Sequence, residues 1–328
     1  MGEYGTDGVP WNQGFDYWYG YLNQRNAHSY FPPFLYENSK KKRLKQNADR
    51  TAGQYSHDLI MEKARSFIRK NSDGPFFLYM AVTIPHAELL IPDKYLDKQK
   101  GKFDETPYVQ PEGTTYRSQS HPRAAFAAMV EKLDSDVGDL RKLLAELGIE
   151  KDTLILFASD NGAHHEGGAD PEFFDSNGPF RGIKRDLYEG GIHTPFFVTW
   201  PGTIQAGQSS DHISAFWDVL PTIADLTGES VTGDIDGISF APVLVGGEQP
   251  EHDYLYWEYV LQGEARQAVR FGKWKGVRYG VNAPVEIYDL EKDIGETKNL
   301  APDHPDLALE AMMLFDKAHT ESADFPLN

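Results

Sequence analysis

The chain contains the stretch Thr153-Leu154-Ile155-Leu156-Phe157-Ala158-Ser159-Asp160-Asn161-Gly162. An apolar run that is rich in strand formers and ends in turn formers is typical of a strand buried on both faces of a parallel sheet. In open α/β sheets the functional residues lie beyond the carboxyl ends of the strands, which is where Asp160 and Asn161 would sit. Their carboxylate and amide oxygens suit Ca²⁺ or Mg²⁺ rather than a soft metal. The alternative is that Asp-Asn-Gly forms only a turn.

The segments around this stretch predict an α/β architecture. A helix is expected over about residues 55–70, and a long helix over about 122–147, because apolar residues recur there at helical spacing. Further buried strands are expected at Phe76–Val82 and Pro195–Trp200. The order strand, crossover helix, strand favours parallel pairing of Phe76–Val82 with the Thr153 strand.

The hydrophobic pattern of the sequence changes beyond about Gly247. Short alternating segments at 254–259, 267–271, 273–278 and 286–289 predict a small antiparallel sheet, and a final helix is expected over about 305–318. We therefore predict a main α/β domain over residues 1–247 and a small α+β domain over residues 248–328.

Composition narrows the classes of partner. The 328 residues carry a formal net charge of −18, which argues against nucleic acid or an anionic membrane surface as a partner. The chain has no cysteine, so disulfides and thiol chemistry are excluded for these residues. No apolar run has the length of a transmembrane segment, and the acidic, glycine-rich start is not a signal peptide.

Several motifs, in order along the chain, resemble those of the type I sulfatases of the alkaline phosphatase superfamily. The motifs are Gly14-Phe15-Asp16-Tyr17, the strand from Pro75 to His86, Ser159-Asp160-Asn161-Gly162, Gly182-Ile183-Lys184 with Glu189-Gly190-Gly191-Ile192-His193-Thr194-Pro195, and Tyr288-Asp289-Leu290 with Glu296-Thr297-Lys298-Asn299-Leu300. His193 stands where the family usually has arginine. The resemblance implies an alkaline-phosphatase-like fold with a central, mostly parallel sheet and hydrolysis of a sulfate ester.

The resemblance also implies roles for individual residues. Asp160 and Asn161 would ligate Ca²⁺, while His86 and Lys184 would act on the sulfate group. An anion held against the overall negative field needs such local cations, and lysine is a compact point charge. The alternatives are that His86 is a histidine satisfied by backbone groups and that Lys184 is a solvated loop cation.

Three more histidines are candidates for contacts with substrate. His164 and His165 directly follow the proposed metal motif, and His28 resembles a substrate-side histidine of some members of the family. A plain surface loop is the alternative for His164 and His165.

The nucleophile of the family is missing from the sequence. It is a formylglycine made from cysteine or serine in a C/S-x-P-x-R motif; Ser120-His121-Pro122-Arg123 only approaches this pattern and lies at a predicted helix start. Gly272-Lys273-Trp274-Lys275 imitates another motif of the family but falls in the C-terminal sheet, so a structural role is expected.

We expect from these departures an N-terminally truncated sulfatase whose Ca²⁺ site is incomplete and whose activity alone is doubtful. The alternatives are a catalytically inactive remnant and a phosphate or phosphonate ester hydrolase of the same superfamily. The implied substrate is a sulfated small molecule or a sulfated carbohydrate. A full-length relative would be periplasmic or secreted.

Overall fold

The computed structural model describes residues 2–47, 49–50 and 52–327. The chain folds as two compact units, of which the first comprises Met1–Glu150 with His164–Pro171 and the second comprises Lys151–Ala163 with Glu172–Asn328. In the part of the chain that the structure describes, no helix is long and apolar enough to cross a membrane.

The first unit combines helices with a small antiparallel sheet. Its helices are α1 (Gln24–Ala27), α2 (Ser56–Asn71), α3 (Asp93–Leu96) and α4 (Pro122–Glu146), and its strands are β1 (Tyr19–Gly20), β2 (Phe34–Glu37) and β3 (Lys40–Arg43). The strand order is β1-β2-β3, so the lysine-rich strand β3 is at the edge of the sheet.

Helix α4 confirms the long helix that the periodicity predicts. It begins at Pro122, where a proline is tolerated because the first backbone N–H groups of a helix have no internal partner. The buried face of α4 uses small residues such as Ala124, Ala125 and Ala128 around Met129, and Val130 is exposed. The small residues allow close approach to aromatic side chains of the same core, including Tyr30 and Phe31.

A buried hydrogen bond joins α2 to α4. Nε2 of His57 lies 2.7 Å from Oδ2 of Asp136, and both side chains are buried. Lys132, one turn earlier on α4, also contacts Asp136. Burial opposes ionisation of Asp136, but the hydrogen bonds from His57 and Lys132 outweigh it and hold the pKa of Asp136 below its usual value. The two helices are therefore joined by a buried polar contact as well as by apolar packing.

The strand predicted at Phe76–Val82 is not observed. The segment has the alternating burial of a strand, with Phe77 58% and Tyr79 66% exposed, but no ladder partner is present among the described residues. A strand is defined by its pairing, and the local sequence specifies only the extended backbone and the alternation.

The second unit contains the remaining elements. They are β4 (Ile155–Ala158), α5 (Glu189–Ile192), β5 (Phe196–Thr199), α6 (Val219–Thr227), α7 (Ala241–Val245), β6 (Leu255–Leu261), β7 (Glu264–Phe271), β8 (Trp274–Tyr279), β9 (Glu286–Asp289) and α8 (Pro305–Ala318).

The predicted parallel central sheet is not found among the described residues. Strand β4 lies at the predicted place, but it pairs with β5 in antiparallel orientation, with Phe157 opposite Phe197. Strand β5 was expected to be buried, yet Phe197 is 64% exposed. An apolar run predicts that a strand forms but does not determine its partner or its direction, because both depend on distant segments.

The C-terminal sheet confirms the alternating pattern. Strands β6-β7-β8-β9 form an antiparallel sheet in chain order, and α8 packs on it through Ala311 and Phe315 in a shared apolar core. Gln262-Gly263 joins β6 to β7, and both residues have positive φ, as a tight hairpin requires. The domain boundary at residue 247 stays a prediction.

Candidate active site

The loop after β4 carries the two proposed metal ligands. The Asp160 side chain is exposed, and Nδ2 of Asn161 donates to the carbonyl of Gly162 at 2.9 Å. Ser159 Oγ donates to the carbonyl of Asn161, also at 2.9 Å. Asn161 therefore uses its side-chain nitrogen, and not its side-chain oxygen, for the hydrogen bond within this turn. The carboxylate of Asp160 and the amide oxygen of Asn161 are left available as ligands.

The loop that carries Lys184 is bonded to the segment that follows these ligands. The backbone N–H of Lys184 donates to the carbonyl of Ala163 at 2.8 Å, and the N–H of Gly162 donates to the carbonyl of Gly191 at 2.9 Å. The sequence places Lys184 more than twenty residues after Asp160, and the fold brings the two loops side by side within the second unit.

Close backbone contact explains the glycines of these motifs. A Cβ at Gly162 would lie 1.7 Å from the carbonyl oxygen of Gly190, and a Cβ at Gly191 would lie 2.0 Å from the carbonyl oxygen of Asp186. Helix α5 can therefore touch both loops only because these positions lack side chains.

A buried network of charged side chains connects the first residue of helix α5 to the C-terminal sheet. Nζ of Lys275, which lies on β8 and is inaccessible to solvent, is 2.8 Å from Oε1 of Glu189 and 3.0 Å from Oε1 of Glu296. The backbone N–H of Glu189 donates to Oε2 of Glu296 at 2.6 Å. Lys275 thus has the structural role expected for it, and this network was not foreseen as a support of the Lys184 loop.

The two carboxylates of this network differ in their ionisation. Burial opposes ionisation of Glu189, but His193 and Lys275 outweigh it and lower the pKa of Glu189 to about 2. For Glu296 burial dominates, and its pKa is raised. A single lysine therefore supports one firmly ionised carboxylate and one that binds its proton more tightly.

His193 occupies the position where the resemblance implies arginine. Its Nδ1 lies 3.0 Å from Oε2 of Glu189, and its ring stacks on Phe180 with centroids 4.3 Å apart. The imidazole thus supplies one contact to Glu189, whereas the planar fork of arginine could supply two.

The histidine candidates of the first unit form a stack. The rings of His86 and His164 have centroids 5.1 Å apart, and those of His28 and His86 have centroids 5.5 Å apart. Tyr116, which the sequence did not indicate, meets the rings of His28 and His86 edge-on. The fold thus collects three of the predicted histidines in one cluster.

Hydrogen bonds orient two of these rings. Nδ1 of His86 lies 2.6 Å from the carbonyl oxygen of Ala87, so this nitrogen carries a proton and donates. The backbone N–H of Glu166 donates to Nδ1 of His164 at 3.2 Å. His165 is exposed, and among the described residues it makes no ring contact with this stack. It remains a candidate on sequence grounds only.

The implied calcium ion can be tested against the donors present. Asp160 and Asn161 offer hard oxygen atoms, which fit Ca²⁺ in kind, but Ca²⁺ takes about six to eight oxygen ligands. Within residues 2–47, 49–50 and 52–327 no group of three or more histidine, aspartate or glutamate side chains could hold a metal ion. The described residues therefore offer two oxygen donors of the kind that Ca²⁺ takes, which is fewer than a complete site needs.

Comparisons with known proteins identify the family of the chain. The sulfatase family model matches residues 1–229, and the model of the C-terminal region of N-sulphoglucosamine sulphohydrolase matches residues 180–319. The chain is 29% identical over 290 residues to N-acetylgalactosamine-6-sulfatase of Mus musculus, covering 81% of this chain and 48% of that protein. It is 32% identical over 255 residues to an uncharacterised sulfatase of Escherichia coli (strain K12), covering 76% and 40%.

A solved structure extends the comparison to the fold. The structure of Ps i-CgsB in complex with k-i-k-neocarrahexaose matches with a TM-score of 0.76 and 26% identity, covering 95% of this chain and 68% of that one. The fold is accordingly the α/β fold of sulfatases. The chain spans about half the length of the N-acetylgalactosamine-6-sulfatases that it matches. Because the family model covers well over half of the chain, the chain belongs to the sulfatase family.

Proposed function

We propose that this protein hydrolyses a sulfate ester. The observation that carries the proposal is the match of the sulfatase family model over residues 1–229, which contain every candidate site residue. The bonding of the Lys184 backbone to Ala163 supports it, because it brings the proposed sulfate-binding lysine beside the loop of the proposed metal ligands.

The roles proposed for the charged and polar side chains follow from the needs of the substrate. A sulfate monoester presents oxygens that carry negative charge, and this charge is redistributed as the sulfur–oxygen bond breaks. Lys184 would bind these oxygens as a point charge, and His86 would donate from Nε2 when protonated, since its Nδ1 is engaged with the carbonyl of Ala87.

Two groups of the proposed reaction come from outside this set of residues. Ca²⁺ would supply positive charge at the sulfate oxygens, and a formylglycine outside this sequence would supply the nucleophile. Asp160 and Asn161 would give oxygen ligands to the ion. The partly exposed apolar segments Phe76–Val82 and Phe196–Thr199 support the presence of further polypeptide in the active protein, because each has an uncovered apolar face.

The proposed substrate class is a sulfated carbohydrate. It is supported by the saccharide named for the solved neighbour and by the amino sugar named for the murine relative. The cluster of His28, His164 and Tyr116 around His86 offers planar rings and polar nitrogens, which suit a sugar placed beside its sulfate group. His165 is proposed to contact the substrate from the neighbouring loop.

The test is a hydrolysis assay of the completed enzyme. The chain is produced with the polypeptide encoded immediately upstream of it, together with a formylglycine-generating enzyme, and is assayed with an aryl sulfate. We expect turnover, and we expect Lys184→Ala to lower kcat/KM about 10²–10³-fold, as for loss of one donor to a developing anion.

Lys292→Ala is the matched control, because this lysine is highly exposed in the same unit. It should keep the activity of the parent protein. Equal loss in both variants, or faster hydrolysis of the corresponding aryl phosphate than of the sulfate, would contradict the proposal. An absence of C/S-x-P-x-R in the upstream reading frame would favour the inactive alternative.

A further inference from the structure

Aromatic rings and cations share the outer face of the small sheet in the first unit. In the β2–β3 ladder Phe34 lies opposite Arg43, and Tyr36 lies opposite Lys41. Directly opposed residues of an antiparallel pair point to the same side, and so do residues two apart. These four side chains therefore lie on one face. Tyr4 extends it, because its ring stacks on that of Tyr36 with centroids 5.4 Å apart.

The other face of the same ladder is turned inward. Leu35 is buried on this face. The Glu37 carboxylate forms ion pairs with Nζ of Lys42 at 2.9 Å and with Nζ of Lys63, on α2, at 2.7 Å. The hydrogen bonds from Lys63 and Lys42 lower the pKa of Glu37 to about 2. Lys42 of the inner face is thus paired with a carboxylate within the protein.

The cations of the outer face are not neutralised in this way. Nζ of Lys41 lies 3.6 Å from the centroid of the Phe34 ring, and no carboxylate within ion-pair distance of Lys41 or Arg43 is present in the described part of the chain. Both side chains are exposed. This face therefore carries local positive charge in a protein whose net charge is −18.

A cavity adjoins this face at the turn between the two strands. It has a volume of about 260 Å³, and its lining includes Tyr4, Asp7, Trp11, Asn12 and Ser39. Tyr4 is 58% exposed, so its outer ring face is open to a ligand. Carboxylate, amide and hydroxyl groups beside aromatic rings can bind the hydroxyl groups and the apolar face of a sugar at once.

Protection of a sheet edge explains only part of this arrangement. Lysine on an edge strand discourages pairing with other chains, and β3 is such an edge. Edge protection does not explain the aromatic side chains of Tyr4, Tyr36 and Phe34 or the cavity beside them. Exposed aromatic surface promotes association with other chains rather than preventing it.

We propose that this outer face is a binding site for a sulfated saccharide, separate from the residues assigned to sulfate hydrolysis. The sugar lies against Tyr4 and the cavity, its hydroxyl groups bond to Asp7 and Asn12, and its sulfate groups contact Lys41 and Arg43. The site would bind saccharide units of a sulfated chain other than the unit whose sulfate ester is hydrolysed. No covalent step takes place there.

The test is a binding titration with matched saccharides. A chondroitin 6-sulfate hexasaccharide and an unsulfated chondroitin hexasaccharide are titrated into the protein by calorimetry. We expect binding of the sulfated form, and at least about tenfold weaker binding after Lys41→Ala with Arg43→Ala, because two charge-assisted contacts are lost. Tyr4→Ala, which removes an exposed ring only, should also weaken binding.

The control is Lys40→Ala with Lys42→Ala on the same strand. It removes the same charge from the opposite face, so it should leave affinity within about twofold, and circular dichroism checks that both pairs of substitutions fold. If both double variants weakened saccharide binding equally, the binding would reflect general electrostatic attraction to the strand, and the proposal would be overturned. No binding of the sulfated form, equal binding of the unsulfated form, or unchanged binding by Tyr4→Ala would also overturn it.

Because the titration measures binding and not hydrolysis, its result is independent of the proposed activity. A protein that binds the sulfated hexasaccharide through Lys41 and Arg43 but hydrolyses no sulfate ester would support this site and contradict the proposed function.

Discussion

Nζ of Lys275 lies 2.8 Å from Oε1 of Glu189, and both side chains are buried. Removing one member of such a pair leaves an uncompensated charge in the protein interior, which costs more than the pair itself contributes. Because Glu189 begins helix α5, and α5 contacts the loops of Asn161 and Lys184, the pair connects the C-terminal sheet to the candidate site within one unit.

Lys275→Met is expected to lower the free energy of unfolding of the second unit by about 3–5 kcal/mol, because Glu189 and Glu296 lose their shared cation. Urea titration followed by tryptophan fluorescence measures the change, since Trp257 and Trp274 lie in the C-terminal sheet. Lys292→Met, at an exposed lysine, should change stability by less than about 0.5 kcal/mol. Similar losses in the two variants would show that the buried network is unimportant.

The two carboxylates of the network should respond to pH in opposite ways. The folded pKa of Glu189 is lowered from 4.5 to about 2, so its contribution to stability is present above about pH 4.5 and is lost as the pH falls towards 2. The folded pKa of Glu296 is raised above 4.5, so ionising it costs stability as the pH rises.

Glu189→Gln should therefore lower the free energy of unfolding by about 2–3 kcal/mol at pH 7 and by little near pH 2. Glu296→Gln should have the smaller effect at pH 7, because it removes a group that is costly to ionise. Urea titrations at several pH values measure both. A larger loss in Glu296→Gln at pH 7 would reverse the assignment of charge.

Gly162→Ala should disrupt the candidate site, because the new Cβ would lie 1.7 Å from the carbonyl oxygen of Gly190. We expect a loss of about 2–4 kcal/mol and faster hydrogen exchange at the amide of Lys184, whose bond to Ala163 depends on the same loop. Gly138→Ala is the control, since nothing lies within 4 Å of a Cβ in that exposed turn of α4. It should be neutral or stabilise by up to about 1 kcal/mol.

Calcium binding by this chain alone is expected to be weak. Asp160 and Asn161 provide a minority of the about six to eight oxygen ligands that Ca²⁺ takes, so we expect a Kd above about 1 mM and no shift of the thermal midpoint on adding a chelator. Calorimetry checks this, with Asp160→Ala as the comparison. Tight stoichiometric binding that Asp160→Ala abolishes would show that the described residues complete the site in solution.

Features that depend on near neighbours in the chain could be predicted from the amino-acid sequence. The period of apolar residues and Pro122 at the helix start predicted α4, and alternation between turn residues predicted the sheet formed by β6 to β9. The motifs around Asp160 and Lys184 predicted the family, which the family model confirms. Each of these signals lies within a short window, where helical or extended geometry fixes which side chains share a face.

The pairing of distant segments and of distant charges could not be predicted in this way and is seen in the folded chain. The apolar run at Phe76–Val82 predicted a strand, but among the described residues no strand pairs with it. Strand β4 was predicted in a parallel sheet and pairs with β5 in antiparallel orientation. The motif of Lys275 predicts a structural role in the C-terminal sheet but not its partner Glu189, which lies 86 positions away. A strand partner or a counter-ion is chosen by the free energy of the assembled core, to which residues far apart in the chain contribute together.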